Sequence, residues 1–479
     1  MPVPVAIALT IIFVLGCYIW DSRRNHDVSP AVWLPILWLV VTGSRFPTQW
    51  IEVGGVRTAA AIVESSPLDA TYFGLLMLIG AIVLLRRQVK AGELIRQNFW
   101  LIAFLVFGLI SVLWSEFPFV ALRRWIKVIG HPIMALVILT DPKPVDAFRT
   151  VIRRCAFFLL PTSVLFVKYL PQYGRGFDAF TGEAVNLGIM LTKNDLGYVC
   201  MVFSLFFVWN ILSRRQIADP RMRRDEVLVS LGFLAMAGWL LGISDSATSM
   251  ATFGIGMLTM IGLGTRFVSK RHFGTFVVIV ALVAIGAEVT FDVYAHVVEL
   301  LGRDPTLTDR TELWTDVIAL QTNPIFGMGF ESFWLGGRLA FLAEKWWWLP
   351  TQAHNGYIET YLNLGFIGVF LLVVLIIATF RKITAKLPTD FEFSRLRLAL
   401  LLAIVTHNYA EATFKGVHFL WTIFHIIAFQ YPRKETVPEK ETERVRSPVR
   451  ARAMRPAGNI ARKVTAASGP TAHHRTRLR

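Results

Sequence analysis

The chain has 479 residues, 54% of them hydrophobic and 17% charged, with a mean hydropathy of +0.52 and a formal net charge of +16 at pH 7. A soluble protein of this length carries closer to a quarter charged residues and divides into several domains. Here the apolar residues gather in runs of about 17–25, the length of a bilayer-crossing helix, which excludes a soluble enzyme and predicts a polytopic membrane protein.

Taken in chain order, the candidate spans are 3–20, 30–43, 70–86, 99–114, 124–140, 151–170, 195–213, 227–243, 247–265, 273–290, 355–380, 396–413 and 416–431. The second and last are short, so about 12–13 crossings are expected. The first residues lack a basic leader and a small-residue cleavage site, so they read as a retained span rather than a signal peptide. Cations crowd the connectors at Arg86, Arg87, Lys90 and Arg96; at Arg214, Arg215, Arg221, Arg223 and Arg224; at Arg266, Lys270 and Arg271; and at Arg381, Lys382, Lys386, Arg395 and Arg397. All fall on one side if the spans alternate, and the positive-inside rule makes that side the cytoplasm.

Three long segments, 44–69, 171–194 and 291–354, then face outward. The last has turn signals at Pro305, Asn323-Pro324 and Gly327-Met328-Gly329 around an expected amphipathic helix over 309–320. It continues into Trp346-Trp347-Trp348, which suits an interfacial belt, a lid or stacking on carbohydrate. Residues 432–479 carry 13 Lys/Arg against 4 Asp/Glu, with almost no large apolar residues, as a disordered cytoplasmic tail does; nucleic acid is not its expected partner. The expected organisation is membrane helices with short outer loops over 1–290, a large outer loop over 291–354, membrane helices over 355–431 and the basic tail over 432–479.

The stretch 351–368 concentrates the informative residues. With Asn355 onward helical, His354, Ile358, Tyr361, Gly365 and Gly368 share one face, an imidazole above two glycines that admit a neighbouring backbone. An interfacial histidine on an ordinary helix fits that spacing equally. Arg123, Arg124 and Lys127 break the charge rule by opening an inward-running helix at the outer face, where they either snorkel or line a cavity. With Arg175, Lys193, Arg303 and Arg310, also outside, they would form a site for a multiply charged anion such as pyrophosphate.

Glu359, Tyr361 and Asn363 read as interhelical hydrogen-bonding groups; His407, Asn408 and Glu411, near the outer end of the next span, read as structural groups first and as cavity-lining groups second. Glu52, Glu64 and Asp69 are alternative bases. There is no D-x-D, zinc spacing, phosphate loop or G-x-S-x-G, and Cys17, Cys155 and Cys200 lie in or beside apolar runs, so no metal or other cofactor is expected.

These motifs resemble a known family. His354-Asn355, nine residues, Gly365, two residues and Gly368 are similar to the His-[Asn/Ser/Gln]-x9-Gly-x2-[Gly/Thr/Tyr] pattern ending the large periplasmic loop of the bacterial O-antigen ligase/Wzy-type polymerase superfamily. Asp309-Arg310-Thr311-Glu312-Leu313-Trp314, followed by Asn323-Pro324-Ile325-Phe326-Gly327-Met328-Gly329, resembles its G-R-x-x-L-W and N-P-L-F-G-x-G pair. Lys193-Asn194-Asp195-Leu196-Gly197 resembles its K-N-x-L-G at the start of a span. Gly43-Ser44-Arg45 and Ser66-Pro67-Leu68-Asp69 resemble the exopolysaccharide-production (ExoQ-like) branch. The likeness extends over most of 30–430. One departure matters: the family often has Ser-x-Ser-Arg/Lys-Thr, and here Ser244-Asp245-Ser246-Ala247-Thr248 has no cation. Either Arg175 or the Arg123/Arg124 pair supplies that charge, or phosphate is bound more weakly.

The resemblance implies an all-α, GT-C-like integral membrane bundle of the inner membrane with its active site facing the periplasm. It also implies metal-independent glycosyl transfer from an oligosaccharide on undecaprenyl pyrophosphate. The implied partners are that lipid-linked substrate, membrane lipid, and chain-length regulator and flippase proteins. His354 would take the acceptor proton, Arg310, Arg123, Arg124, Lys127, Arg175 and Lys193 would hold the pyrophosphate, and Asn355 would bind substrate. The exopolysaccharide likeness favours a polymerase of repeat units. The alternatives are a ligase acting on lipid A core and, outside enzymes, a polysaccharide or lipid-oligosaccharide transporter, although no repeated halves are visible.

Overall fold

The computed structural model describes residues 1–25, 27–51, 66–178, 182–266, 270, 272–277, 279, 286, 290 and 310–431. Most of the expected span 273–290, the first part of the large loop (291–309, with Arg303), the candidates Glu52 and Glu64, and the basic tail lie outside the described residues.

The chain folds as an all-α polytopic membrane protein. Seven described helices are long and apolar enough to cross a bilayer: Val3–Arg24, Pro67–Arg86, Pro144–Tyr169, Lys193–Gln216, Pro220–Ile243, Ala247–Gly264 and Gly356–Lys386. Ala91–Gln97 and Phe99–Trp114, bent by 97°, make an eighth if taken as one span. Shorter or more charged helices at Trp33–Thr42, Pro118–Val128, Gly130–Leu139, Phe391–Ala410 and Phe419–Ala428 occupy the other expected positions. The expected span 124–140 is therefore two helices meeting at Ile129, because Pro132 has no N–H to offer the Val128 carbonyl. Local chemistry sets the starts. Ser66 accepts from Leu68 N–H with Pro67 in the first turn, Thr192 and Asp195 form a capping box, and Asn355 accepts from Tyr357 and Ile358 N–H.

Burial separates the centre from the rim. The apolar windows of Lys193–Gln216 and Pro144–Tyr169 are 83% and 78% buried, against 11% for Val3–Arg24 and 22% for Pro67–Arg86, as expected of helices that face lipid. The two ends of the bundle differ in chemistry. At one, the fully buried Asp21 is bracketed by Arg153 and Arg154, the latter at 2.6 Å. Arg153 also reaches Glu226 at 2.7 Å, and Glu226 accepts from Asn210 at 3.1 Å. At the other end lie the helix starts at Lys193, Ala247, Gly356 and Phe419 and the helix end at Ala410. A small antiparallel hairpin, with Arg175 opposite Asn186, sits before Lys193.

Gly356–Lys386 is not the continuous helix that a 354–368 stripe requires. Gly365 adopts φ 63°, ψ −165°, a region open essentially to glycine alone, and its bare Cα makes room for the Ile325 carbonyl and the Gly327 amide. The backbone groups orphaned by the break are taken up by 321–329. Phe366 and Ile367 N–H donate to Pro324 O (2.8 Å) and Ile325 O (3.2 Å), while Leu362 O and Asn363 O accept from Met328 (3.1 Å) and Gly329 (2.9 Å). Gln321 Nε2 donates to Tyr361 O at 3.2 Å and Leu362 O at 2.7 Å. His354 itself precedes the helix, at φ 49°. The single face is thus corrected to a capped helix, a break and a second helix.

Gly365→Ala is expected to cost about 1–3 kcal/mol in backbone strain, plus the displacement of 325–327, and to lower the thermal midpoint in detergent. Gly74→Ala, where an added methyl meets open space, should leave the midpoint unchanged or raised.

Candidate active site

Glu411 is where sequence-distant pieces meet. It follows the helix Phe391–Ala410 and is 7% exposed. Its Oε1 accepts from Asn194 Nδ2 at 2.6 Å and Arg310 Nη2 at 3.0 Å, and its Oε2 lies 3.2 Å from His354 Nδ1. Arg310 Nη1 also donates to the Ala410 carbonyl. Asn408 shapes the turn after Glu411, its Oδ1 accepting from Thr413 and Phe414 N–H, each at 3.0 Å. Burial pushes the Glu411 carboxyl up, but the His354 hydrogen bond and the charges of Arg310, His354 and His407 outweigh it and bring the carboxyl down to about 2. An ionised carboxylate only accepts, so Nδ1 of His354 carries the proton and the Nε2 lone pair is left for substrate.

The peptide before His354 is fixed from both sides. Ala353 N–H donates to Glu359 Oε2 at 3.0 Å, and Ala353 O accepts from the Trp314 indole at 2.7 Å. The other Glu359 oxygen accepts from the Trp334 indole at 2.7 Å. Glu359, 4% exposed, thus holds the left-handed turn that presents the imidazole, a conformation uncommon for a residue other than glycine. The three consecutive tryptophans divide their work. Trp346 is buried and donates to Asp316 at 3.0 Å, Trp347 is 70% exposed, and the Trp348 ring lies 6.0 Å from the His354 ring.

The other sequence candidates are placed as follows. Asn355 is buried, with its side chain engaged as the helix cap, so it serves the fold here. Lys193 pairs with Asp178 at 2.7 Å and lies 3.9 Å from Asp245, which brings a cation to the turn where Ala247 stands. Arg175 donates to Val167 O at 3.1 Å. Asp69 accepts from Thr48 N–H at 2.9 Å. Arg124 donates to the backbone carbonyl of Glu331, and Lys127 lies within electrostatic reach of the same residue. The single cation cluster expected from sequence is therefore divided, with Arg310 at Glu411 and Arg124 and Lys127 at Glu331. Among the described residues no three of His, Cys, Asp and Glu gather closely enough to hold a metal ion.

Glu411 is expected from sequence as a structural or cavity-lining group, but its pairing with His354, Arg310 and Asn194 is not. Glu411 lies 57 residues from His354 and 101 from Arg310, and its only local signal is a carboxylate at the end of an apolar run. Asn194 sits inside the noted Lys193–Gly197 motif, which was the available clue.

Residues 231–373, which include Arg310, His354 and Gly365, match the family model described as O-antigen ligase. Over 306 residues the chain is 28% identical to the exopolysaccharide production protein ExoQ of Rhizobium meliloti, covering 61% of this chain and 66% of that protein. A protein named as a polysaccharide ligase in Rickettsia conorii is 30% identical over 167 residues, 32% of this chain and 39% of its own length. Its counterpart in Rickettsia felis is 29% identical over 168 residues, 32% and 40%. The alignments thus span just under two thirds of the first relative and about two fifths of the other two. Fold and site together define a polytopic helical membrane protein with a half-buried His–Glu–Arg constellation at one end of its bundle. Residues 231–373 are thus similar to the O-antigen ligase family, and 61% of the chain is similar to ExoQ.

Glu359→Ala should strand the Ala353 amide and the Trp334 indole at about 1–3 kcal/mol each, lowering the thermal midpoint and opening 349–355 to proteolysis; Glu359→Gln, which keeps an acceptor, should do less. The folded value of Glu411 lies below its ordinary 4.5. Its stabilisation is therefore complete above about pH 4.5 and lost as pH falls toward 2. Thermal midpoints taken from pH 7 to pH 3 should fall on the acid side in the wild type, and less steeply in Glu411→Gln.

Proposed function

We propose that the protein is a membrane glycosyltransferase that joins oligosaccharide repeat units carried on undecaprenyl pyrophosphate into exopolysaccharide or O-antigen at the periplasmic face of the inner membrane. The observation that carries this reading is His354, held by Glu411 through Nδ1 at 3.2 Å beside Arg310. An acceptor hydroxyl attacks the anomeric carbon of the donor sugar, the bond from that carbon to the pyrophosphate oxygen breaks, and the hydroxyl proton passes to His354 Nε2. Undecaprenyl pyrophosphate leaves with the electron pair. Glu411 stabilises the imidazolium that forms, as a carboxylate does behind any histidine base. Among the described residues Arg310 uses two N–H donors, on Glu411 and Ala410, of the five that a guanidinium has, which suits it to take the leaving phosphate as well. The outward placement of this end is supported by the connector charges, which concentrate on the other side of the spans.

The polymerase reading rests on the ExoQ likeness. A ligase reading, with lipid A core as acceptor, is favoured by the description of the matching family model and the names of the two rickettsial relatives. Purified protein given lipid-linked oligosaccharide should lengthen it if it is a polymerase, and should transfer it to added lipid A core if it is a ligase. His354→Ala and Arg310→Ala, at normal protein levels in membranes, should each reduce product by about 10²–10⁴-fold. Near wild-type product from both would overturn the assignment.

A further inference from the structure

The cations that do not join Glu411 have an architecture of their own. On the helix Pro118–Val128, Arg123 and Lys127 are four residues apart and Arg124 and Lys127 three, so all three line adjoining strips of one surface. Arg124 donates to the Glu331 carbonyl, and the Glu331 side chain accepts from Gly416 N–H. Lys127 and Lys415 both act electrostatically on that carboxylate, as Asp69 does on Lys127 and Glu359 on Glu331. Arg123 is exposed. On its side of the helix Phe119 and Ile126 are 80% and 47% exposed, next to Leu113 at 84%. Cations bordering an exposed apolar edge suit a phosphate headgroup whose hydrocarbon lies against the flank of the protein.

The segment 411–418 borders both cation sites. Glu411 touches His354 and Arg310, and Gly416 touches Glu331. Five residues of chain reach at most about 18 Å, so a ligand at one site lies close to a ligand at the other.

We propose that Arg123, Arg124, Lys127 and Lys415 form a second lipid-phosphate site, which takes the pyrophosphate of a second polyprenyl-linked chain, the acceptor. This rests on the transferase reading and sharpens it, since a polymerase needs both reactants on carrier lipid and a ligase needs only one. The same chemistry would hold an ordinary anionic phospholipid, so the experiment separates the two sources.

Full-length protein in nanodiscs is mixed with undecaprenyl pyrophosphate, and bound lipid is counted by native mass spectrometry with phosphatidylglycerol as competitor. The wild type should hold two equivalents that equimolar phosphatidylglycerol does not displace. Arg123→Gln/Lys127→Gln should hold one, as should Lys415→Gln on a separate segment, with all variants eluting as monodisperse protein. Arg310→Gln should also fall to one, and its combination with Arg123→Gln/Lys127→Gln to none. One equivalent in the wild type, an unchanged count in both variants of the second site, or displacement of the second equivalent by phosphatidylglycerol would overturn the proposal. Failure of the wild type to lengthen or transfer lipid-linked oligosaccharide would instead overturn the transferase reading, and the lipid count does not depend on that result.

Discussion

The break at Gly365 creates backbone amides and carbonyls that an apolar environment cannot satisfy, at several kcal/mol for each group left unpaired. The rest of the site end depends on how 321–329 receives them. Because that segment is pinned to the break, the chain on either side of it is pinned too. Asn363 Oδ1 accepts from Phe333 N–H at 3.1 Å, and Met328, Phe333 and Trp334 pack with Leu313, Val317, Leu342, Trp346, Ala353 and Leu362 in a small core of their own. That core positions the Trp314 and Trp334 indoles, which in turn hold the peptide and the carboxylate behind His354. A glycine near the start of a membrane helix thereby governs where an imidazole sits eleven residues earlier in the chain.

Glu411 is the electrostatic counterpart of that backbone arrangement. A guanidinium and an imidazole brought together alone would repel once the imidazole gains a proton. A carboxylate between them removes that penalty and selects the ring tautomer. The arrangement is asymmetric in its energetics, since a buried pair adds little over a well-packed apolar pair but losing one partner leaves a stranded charge. Glu411 therefore binds three segments, at 194, 310 and 354, into one unit.

Much of this was legible in the chain. The spans, their order and the paired motifs at 310–329 and 354–368 follow from apolar run length, turn residues and spacing. The shared face of His354, Gly365 and Gly368 did not survive, because periodicity assumes helical φ and ψ at every position and cannot register one residue at φ 63°. A physical clue was present in Asn323-Pro324 and Gly327-Met328-Gly329, a loop rich in residues that free backbone groups for pairing elsewhere. The grouping of cations was misjudged for a related reason: charge sign and sidedness place residues in a layer but not beside one another. Arg124 and Arg310 share the layer and face different carboxylate-bearing residues.

The far end of the bundle sets a limit on motion. Asp21, Arg153, Arg154, Glu226 and Asn210 knot four helices there with buried charges. Parting those helices would leave Asp21 or Glu226 without its guanidinium partner, so that end acts as a fixed pivot. Traffic across the membrane by rocking halves would require the knot to open and re-form in every cycle. The function proposed above needs no such cycle, since a lipid-borne chain would reach and leave the site end within the plane of the bilayer.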